Sequence, residues 1–197
     1  MRTAILCLAL ALVPACATAQ TQTQQDRPRK ILTPEQIAYQ QQMKTFYAEM
    51  DRLRTAAKSA YTSEIAREKA GECPNAITTV DINQCLSHED EVTEANYKAF
   101  TSVLRAMLAL PVPTMPGASG MPAIGPSGPE ATPATNAAAF DAAESAWHTY
   151  AAAECGAIDT LWRGGTIVNS MVGQCNQRLA RTRLHELDTA YDMLLHH

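Results

Sequence analysis

Several features that mark common protein classes are missing from this sequence. No stretch after the N-terminal segment is apolar enough to span a bilayer, which takes about 20 residues, and no alternating pattern of strand length occurs. Basic residues do not exceed acidic ones, 16 against 20. These absences exclude a membrane-spanning chain, argue against a mainly β protein, and make nucleic acid an unsuitable partner.

Motifs for catalysis and metal binding are also missing. There is no Gly-x-Ser-x-Gly elbow and no phosphate-binding loop. His185 does not begin an HExxH metal motif, because residue 189 is Thr189. The acidic run 89–91 is interpreted as a solvated first helical turn, and the terminal His196 and His197 as frayed. We therefore predict no catalytic residue, no metal site and no cofactor, in a protein that is not an enzyme.

The N-terminal segment predicts export. Arg2 precedes an apolar run over 4–13, and Ala17-Thr18-Ala19 is a small-x-small cleavage site, which predicts a signal peptide over 1–19. Alternatively, Val13-Pro14-Ala15-Cys16 resembles a lipobox, in which Cys16 is lipidated. Either route predicts a periplasmic or secreted protein, or one anchored by lipid in the envelope. Losing Arg2 leaves 15 basic and 20 acidic residues, a formal charge of −5 that suits a basic partner.

The cysteines predict a disulfide framework. Cys7 lies in the signal peptide and Cys16 is removed or lipidated, so four remain for an oxidising compartment: Cys73, Cys85, Cys155 and Cys175. Four cysteines allow three connectivities, and the sequence alone does not choose among them. We hypothesise that the first pairs with the second and the third with the fourth, since each pair closes a short local loop beside a helix junction.

The first predicted helix spans 33–70, after a polar leader over 20–32 that is predicted to be disordered. Thr33 and Gln36 form a capping box, and Pro34 suits the first helical position. Apolar residues then recur in steps of three and four: Tyr39, Met43, Phe46, Met50, Leu53, Ala57 and Ala60. This seam either packs on the domain core or joins two copies of the chain into a homo-oligomer.

Three further amphipathic stripes predict helices near 86–110, 137–156 and 167–194, with Ser87 and Thr166 as N-caps. Residues 111–136 hold 7 of the 11 prolines and 4 of the 9 glycines, which predicts a disordered insert. The expected fold is all-α: a small helical-hairpin bundle braced by disulfides, with an extra N-terminal helix.

Several motifs, taken in order, resemble the LprI-like domain family. They are Cys73 to Cys85, then Asn96-Tyr97, Ala146-Trp147, Cys155, Gly164-Gly165-Thr166, Cys175 and Arg181-x-Arg183-x-x-x-Leu187. The resemblance covers about 71–192, so we place the domain at 71–195, interrupted by the insert. The helix at 33–70 and the insert are departures from the family pattern.

The resemblance implies a binding protein of the cell envelope, because the family is named for a lipoprotein that inhibits lysozyme. The best contact candidates are Trp162 and Arg163, residue types that dominate interface energies, beside Gly164 and Gly165. Alternatively, Trp162 fills the core beneath the turn. A second functional hypothesis is an assembly protein of the envelope that self-associates through the 33–70 helix.

Overall fold

The computed structural model describes residues 32–117 and 131–197. Within them lie five helices and no strand: α1 (Pro34–Ala70), α2 (Thr79–Leu108), α3 (Pro133–Trp162), α4 (Val168–Ala190) and α5 (Asp192–His196). The predicted all-α fold class is confirmed. The predicted signal peptide, Cys16 and the leader up to residue 31 fall outside the described residues, as does the part of the insert over 118–130.

Helix α1 begins as its sequence predicts. The Thr33 side chain accepts a hydrogen bond from the Gln36 amide at 3.2 Å, and the Gln36 side chain accepts one from the Thr33 amide at 3.1 Å. This reciprocal pair satisfies two of the amide groups that a helix start leaves free.

The prediction for the start of α2 was wrong. The helix begins at Thr79 rather than near Ser87, because Thr78 and Asp81 form a second capping box two turns earlier. The predicted cap Ser87 is therefore an exposed residue inside the helix. The acidic run 89–91 lies beyond the first turn, so it does not cap the helix either.

The boundaries of α3 and α4 also differ from the prediction. Thr132 caps α3 and Pro133 occupies its first turn, so the predicted disorder is wrong for 133–136. The helix continues past Cys155 to Trp162. Helix α4 starts after Ile167 with no side-chain cap, so Thr166 is not its N-cap. The predicted single helix over 167–194 is interrupted at Tyr191, after which α5 begins.

Side-chain contacts show that the four long helices run alternately up and down. Arg67 of α1 binds Glu89 near the start of α2, whereas Tyr61 packs against Phe100 further along it. In the same way, Arg105 near the end of α2 pairs with Asp141 near the start of α3. The connections from α1 to α2 and from α3 to α4 therefore lie at the same end of the bundle, as in an up-and-down four-helix arrangement.

Both disulfides close connections at that end. Cys73 bonds to Cys85 with their Cα atoms 5.9 Å apart, and Cys155 bonds to Cys175 with their Cα atoms 5.7 Å apart. These are the two pairs of the sequence hypothesis, and both Cα separations lie within the usual range. We call this part of the molecule, residues 71–85 and 155–175, the braced end.

The hydrophobic core takes up most of the α1 seam. Its buried residues are Met50, Leu53, Ala57, Ala60, Tyr97, Phe100, Leu104, Met107, Phe140, Ala180, Leu184, Leu187 and Leu195. The seam from Met50 to Ala60 thus packs against the chain's own helices, which leaves that part of it unavailable to a second copy.

Candidate functional site

The predicted contact residues lie on the surface of the braced end. Trp162 is 38% exposed, so part of the residue is open to a partner while the rest is covered by the protein. Arg163 is exposed, and its guanidinium reaches Asp159 one turn back at 3.0 Å. An exposed pair of this kind contributes little to stability, so the guanidinium is free to exchange partners.

Glycine is favoured at both positions of the turn, for a different structural reason at each. Gly164 has φ +85°, a left-handed conformation that L side chains rarely adopt. Gly165 donates its amide hydrogen to the Trp162 carbonyl at 2.9 Å, and a Cβ at this position would come within 3.1 Å of that oxygen. The turn therefore ends α3 tightly and holds the Trp162 backbone in place.

Other large apolar side chains are exposed at the same end. Ile77 and Val80, at the start of α2, are 89% and 61% exposed, and Leu161 beside Trp162 is 73% exposed. Ile77 and Val80 were not among the predicted contacts, because the predicted second helix begins near residue 86 and leaves both outside any helical face.

Asn83 joins the two connections of the braced end. Its amide nitrogen donates to the Thr166 carbonyl at 3.4 Å, and its side-chain oxygen accepts from the Ser170 hydroxyl. The exposed apolar residues of both connections therefore belong to one cross-linked end of the bundle. An exposed apolar patch on a soluble domain is a typical protein-binding surface.

Apart from the braced end, a cleft lies between α2, α3 and α4. It is a cleft of about 290 Å³ whose polar and aromatic lining consists of Asp90, Glu94, Trp147, His148 and Asn176. We call it the acidic cleft. Burial raises the pKa of Asp90; a hydrogen bond from Asn176 opposes this, and repulsion from Glu94 and Glu91 adds to it. The Asp90 carboxylate is thus held in unfavourable surroundings, which a positive charge would relieve.

The interior holds an ionic cluster centred on Glu64, which is fully buried. Its carboxylate accepts hydrogen bonds of 2.8 Å from Thr93, Asn96 and Arg181. Burial alone would raise the pKa of Glu64, but these three hydrogen bonds and the Arg181 charge outweigh it and lower the pKa. Arg181 also contacts Glu72 at 2.5 Å.

A second interior cluster links α2, α3 and α4. The buried Tyr97 hydroxyl donates to Glu144, and Arg183 donates to the other Glu144 oxygen at 2.8 Å. Burial and the hydrogen bond to Glu144 raise the pKa of Tyr97, so its hydroxyl stays protonated. The Tyr97 ring packs on Trp147 with centroids 5.0 Å apart. We call the two clusters together the polar core.

His185 and His196 have side-chain partners within the fold. His185 lies within hydrogen-bonding distance of Tyr61 at 2.9 Å and Glu68 at 3.2 Å. His196 contacts Asp188 at 2.9 Å from within α5, which corrects the expectation that this residue is frayed. In the parts of the chain that the structure describes, no three His, Cys, Asp or Glu side chains are grouped to hold a metal ion.

The sequence model of one family, described as "Lysozyme inhibitor LprI", matches residues 70–187. The match covers more than half of the chain. This chain belongs to the LprI family. No curated protein and no solved structure is significantly similar to it.

Several residues of the LprI pattern belong to the interior of the helix bundle. The family-pattern residues Asn96, Tyr97, Arg181 and Arg183 all lie in the polar core, where they hold helices together. Glu64, which binds two of them, lies on α1, outside the matched range. The LprI domain of this chain is therefore completed by a helix that the family match does not include.

Within 32–117 and 131–197, no helix has both the length and the apolar character needed to cross a bilayer.

Proposed function

We propose that this protein is an exported inhibitor of lysozyme that acts by binding the enzyme and catalyses no reaction itself. Membership of the LprI family is the observation that carries the proposal. Two disulfides support a place in an oxidising compartment, either the periplasm or outside the cell. The formal charge of −5 after loss of the predicted signal peptide suits a basic enzyme as partner.

The braced end is the proposed contact surface for lysozyme. Trp162 and Arg163 belong to the residue types that dominate binding energies, and Leu161, Ile77 and Val80 add exposed apolar area at the same end of the bundle. A partner can approach closely at Gly164 and Gly165, which carry no side chain.

The backbone of the braced end is held rigid, which favours tight binding at its surface. Each of its two connections is closed by a disulfide, and Asn83 links one to the other. A surface that is already ordered loses little conformational entropy when its partner binds, so more of the contact energy appears as affinity.

A lysozyme turbidity assay tests the proposal. Purified protein at micromolar concentration should slow the clearing of a bacterial cell-wall suspension by a c-type lysozyme. Protein that has been reduced and alkylated serves as the control, since it retains the composition and loses the bracing. Undiminished lysozyme activity in the presence of native protein would refute the inhibitor proposal.

Export itself remains a proposal, with cleavage after Ala19 or lipidation of Cys16 as its two routes. Mass spectrometry of the mature protein separates them. An unmodified N-terminus at Gln20 indicates the soluble form, whereas a diacylglyceryl group on Cys16 indicates the lipid anchor.

A further inference from the structure

The acidic cleft is a preformed concavity. Ala151 and Ala152 of α3 and Asn176 of α4 line it, and the Cys155–Cys175 disulfide joins those two helices about one turn from the alanines. Its volume of about 290 Å³ lies at the lower limit of small-molecule sites, about 300–1,000 Å³. The cleft therefore has room for one long side chain rather than for a whole peptide or oligosaccharide.

Its charge is negative and incompletely neutralised. Asp90 and Glu94 lie one turn apart on α2 and line the same cavity, and no Lys or Arg lines it. Glu94 has an exposed partner, Lys98, at 3.3 Å. In the described part of the chain, no Lys, Arg or His nitrogen lies within 4.0 Å of the Asp90 carboxylate. A cation entering the cleft would supply the charge that Asp90 lacks.

An aromatic wall completes the cleft. The Trp147 indole is fixed from the interior by Tyr97, 5.0 Å away between centroids, and His148 packs edge-on to Trp147 at 4.9 Å. Aromatic faces attract cations, and the attraction is strongest for Trp. A cavity with a held indole and two carboxylates has the chemistry that recognises a guanidinium or an ammonium group.

We propose that the acidic cleft binds one cationic side chain, Arg or Lys, of the protein that this chain inhibits. The inference rests on the proposed function and assigns to the basic partner a second anchor beyond the braced end. Ala152 and Trp162 are ten residues apart on α3, roughly 15 Å at 1.5 Å per residue. That separation along the helix is within the width of a partner interface of ordinary size.

The test uses a double substitution with a matched control. Asp90→Asn with Glu94→Gln removes two charges from the cleft without changing side-chain shape. Glu35→Gln with Asp51→Asn removes two charges from exposed positions on α1. Isothermal titration with a c-type lysozyme should show affinity at least ~10-fold weaker for the cleft variant and less than ~2-fold weaker for the control. Thermal unfolding verifies that both variants are folded.

A second measurement is independent of lysozyme. The chain has two tryptophans, so Trp162→Phe assigns the indole NH resonance of Trp147. Titration with arginine amide at millimolar concentration should shift that resonance in the wild-type protein and leave it unmoved in the cleft variant.

The two measurements separate failure of this inference from failure of the proposed function. If the cleft variant binds lysozyme as tightly as the control does, the inference is overturned while inhibition stands. If the wild-type protein does not bind lysozyme at all, the proposed function fails. The titration with arginine amide then determines by itself whether the cleft binds a cation. A Trp147 shift that the substitutions abolish then supports a cation site, and no shift overturns it.

Discussion

The polar core and the braced end hold their side chains in opposite ways. In the polar core, charged groups such as Glu64 and Arg181 are buried and bound by several partners at once. At the braced end, Trp162 and Ile77 are apolar, exposed and without comparable contacts, while covalent bonds hold the backbone beneath them. The first region buries and pairs its polar groups, whereas the second leaves apolar side chains exposed.

The residues of the family pattern are divided between the interior and the braced end. The family-pattern residues Asn96, Tyr97, Arg181 and Arg183 serve the interior, where they join helices. The surface proposed to bind lysozyme includes the motif glycines Gly164 and Gly165, but the side chains proposed to make the contact, such as Trp162 and Ile77, lie outside the motifs. The pattern therefore identifies the scaffold and the turn more directly than it identifies the contact side chains.

The largest expected effect tests the polar core. Glu64→Gln should lower the free energy of unfolding by about 3 kcal/mol, because it leaves the buried Arg181 charge with Glu72 as its remaining carboxylate. Urea denaturation measures the change. Glu68→Gln, an exposed position one turn further along α1, is the control and should change stability by less than about 1 kcal/mol.

The pH dependence of the same variant sharpens this test. The pKa of Glu64 is lowered in the folded protein, so its contribution is present above the ordinary carboxyl pKa. That contribution is lost as pH falls through the lower, folded value. Wild-type stability should therefore fall in acid by more than that of Glu64→Gln. Parallel curves for the two proteins would contradict a stabilising role for the Glu64 charge.

The next largest effect concerns the bracing itself. Replacing both Cys155 and Cys175 by Ser should lower the free energy of unfolding by roughly 3 kcal/mol, since a loop of this length gains entropy in the unfolded chain. Helical circular dichroism at low temperature should persist, because the polar core is untouched. The Cys73→Ser/Cys85→Ser pair gives a comparison at the other connection, and an unchanged thermal midpoint in both variants would mean that neither disulfide braces the fold.

Substitution of Trp162 separates contact from stability. Trp162→Ala should raise the concentration for half-maximal inhibition of lysozyme by about 30-fold, the effect of losing about 2 kcal/mol at an interface hot spot. The thermal midpoint should change little, because Trp162 is already 38% exposed in the folded protein. Tyr150→Ala, which removes an exposed aromatic elsewhere on α3, is the matched control. If the variant loses stability but still inhibits lysozyme, Trp162 fills the core beneath the turn and does not contact the enzyme.

Arg163→Ala should follow the same pattern with a smaller effect. It removes a guanidinium whose intramolecular partner, Asp159, is exposed and contributes little to stability. Inhibition should weaken by up to about 10-fold with an unchanged thermal midpoint, measured in the same turbidity and unfolding assays. If the variant inhibits lysozyme as well as the wild type does, Arg163 does not contribute to binding, and the contact with lysozyme is made by the apolar side chains.

The smallest expected effect has the opposite sign. The pKa of Asp90 is raised in the folded protein, so its ionisation opposes folding. This loss of folding free energy is absent below the pKa of Asp90 in the unfolded chain and is complete above its pKa in the folded protein. Asp90→Asn should therefore raise stability at neutral pH by less than about 1 kcal/mol. The gain should vanish in acid. Asp51→Asn, an exposed position on α1, should show no such gain, and a loss of stability in Asp90→Asn would contradict the argument.

Local patterns in the sequence determined much of the secondary structure. The capping box of Thr33 and Gln36 and the seam after it predicted α1 to within one residue, because both depend on neighbours within a turn or two. The starts of α2 and α3 were misplaced, although Thr78 with Asp81 and Thr132 with Thr135 are local capping pairs of the same kind. The first pair lies in a short polar segment that resembles an irregular loop, and the second lies in the proline-rich insert, so composition and capping point to different structures there.

Tertiary structure alone decided which residues meet. By itself, the sequence determined an all-helical chain, four cysteines placed beside helix junctions, and the family whose pattern they follow. It did not bring Glu64 to Arg181, 117 positions apart, or Asp90 to Trp147 across a cleft. The reason is physical: helix periodicity and capping are set by groups a few residues apart, whereas pairing of buried charges and shaping of a cleft depend on how whole helices pack.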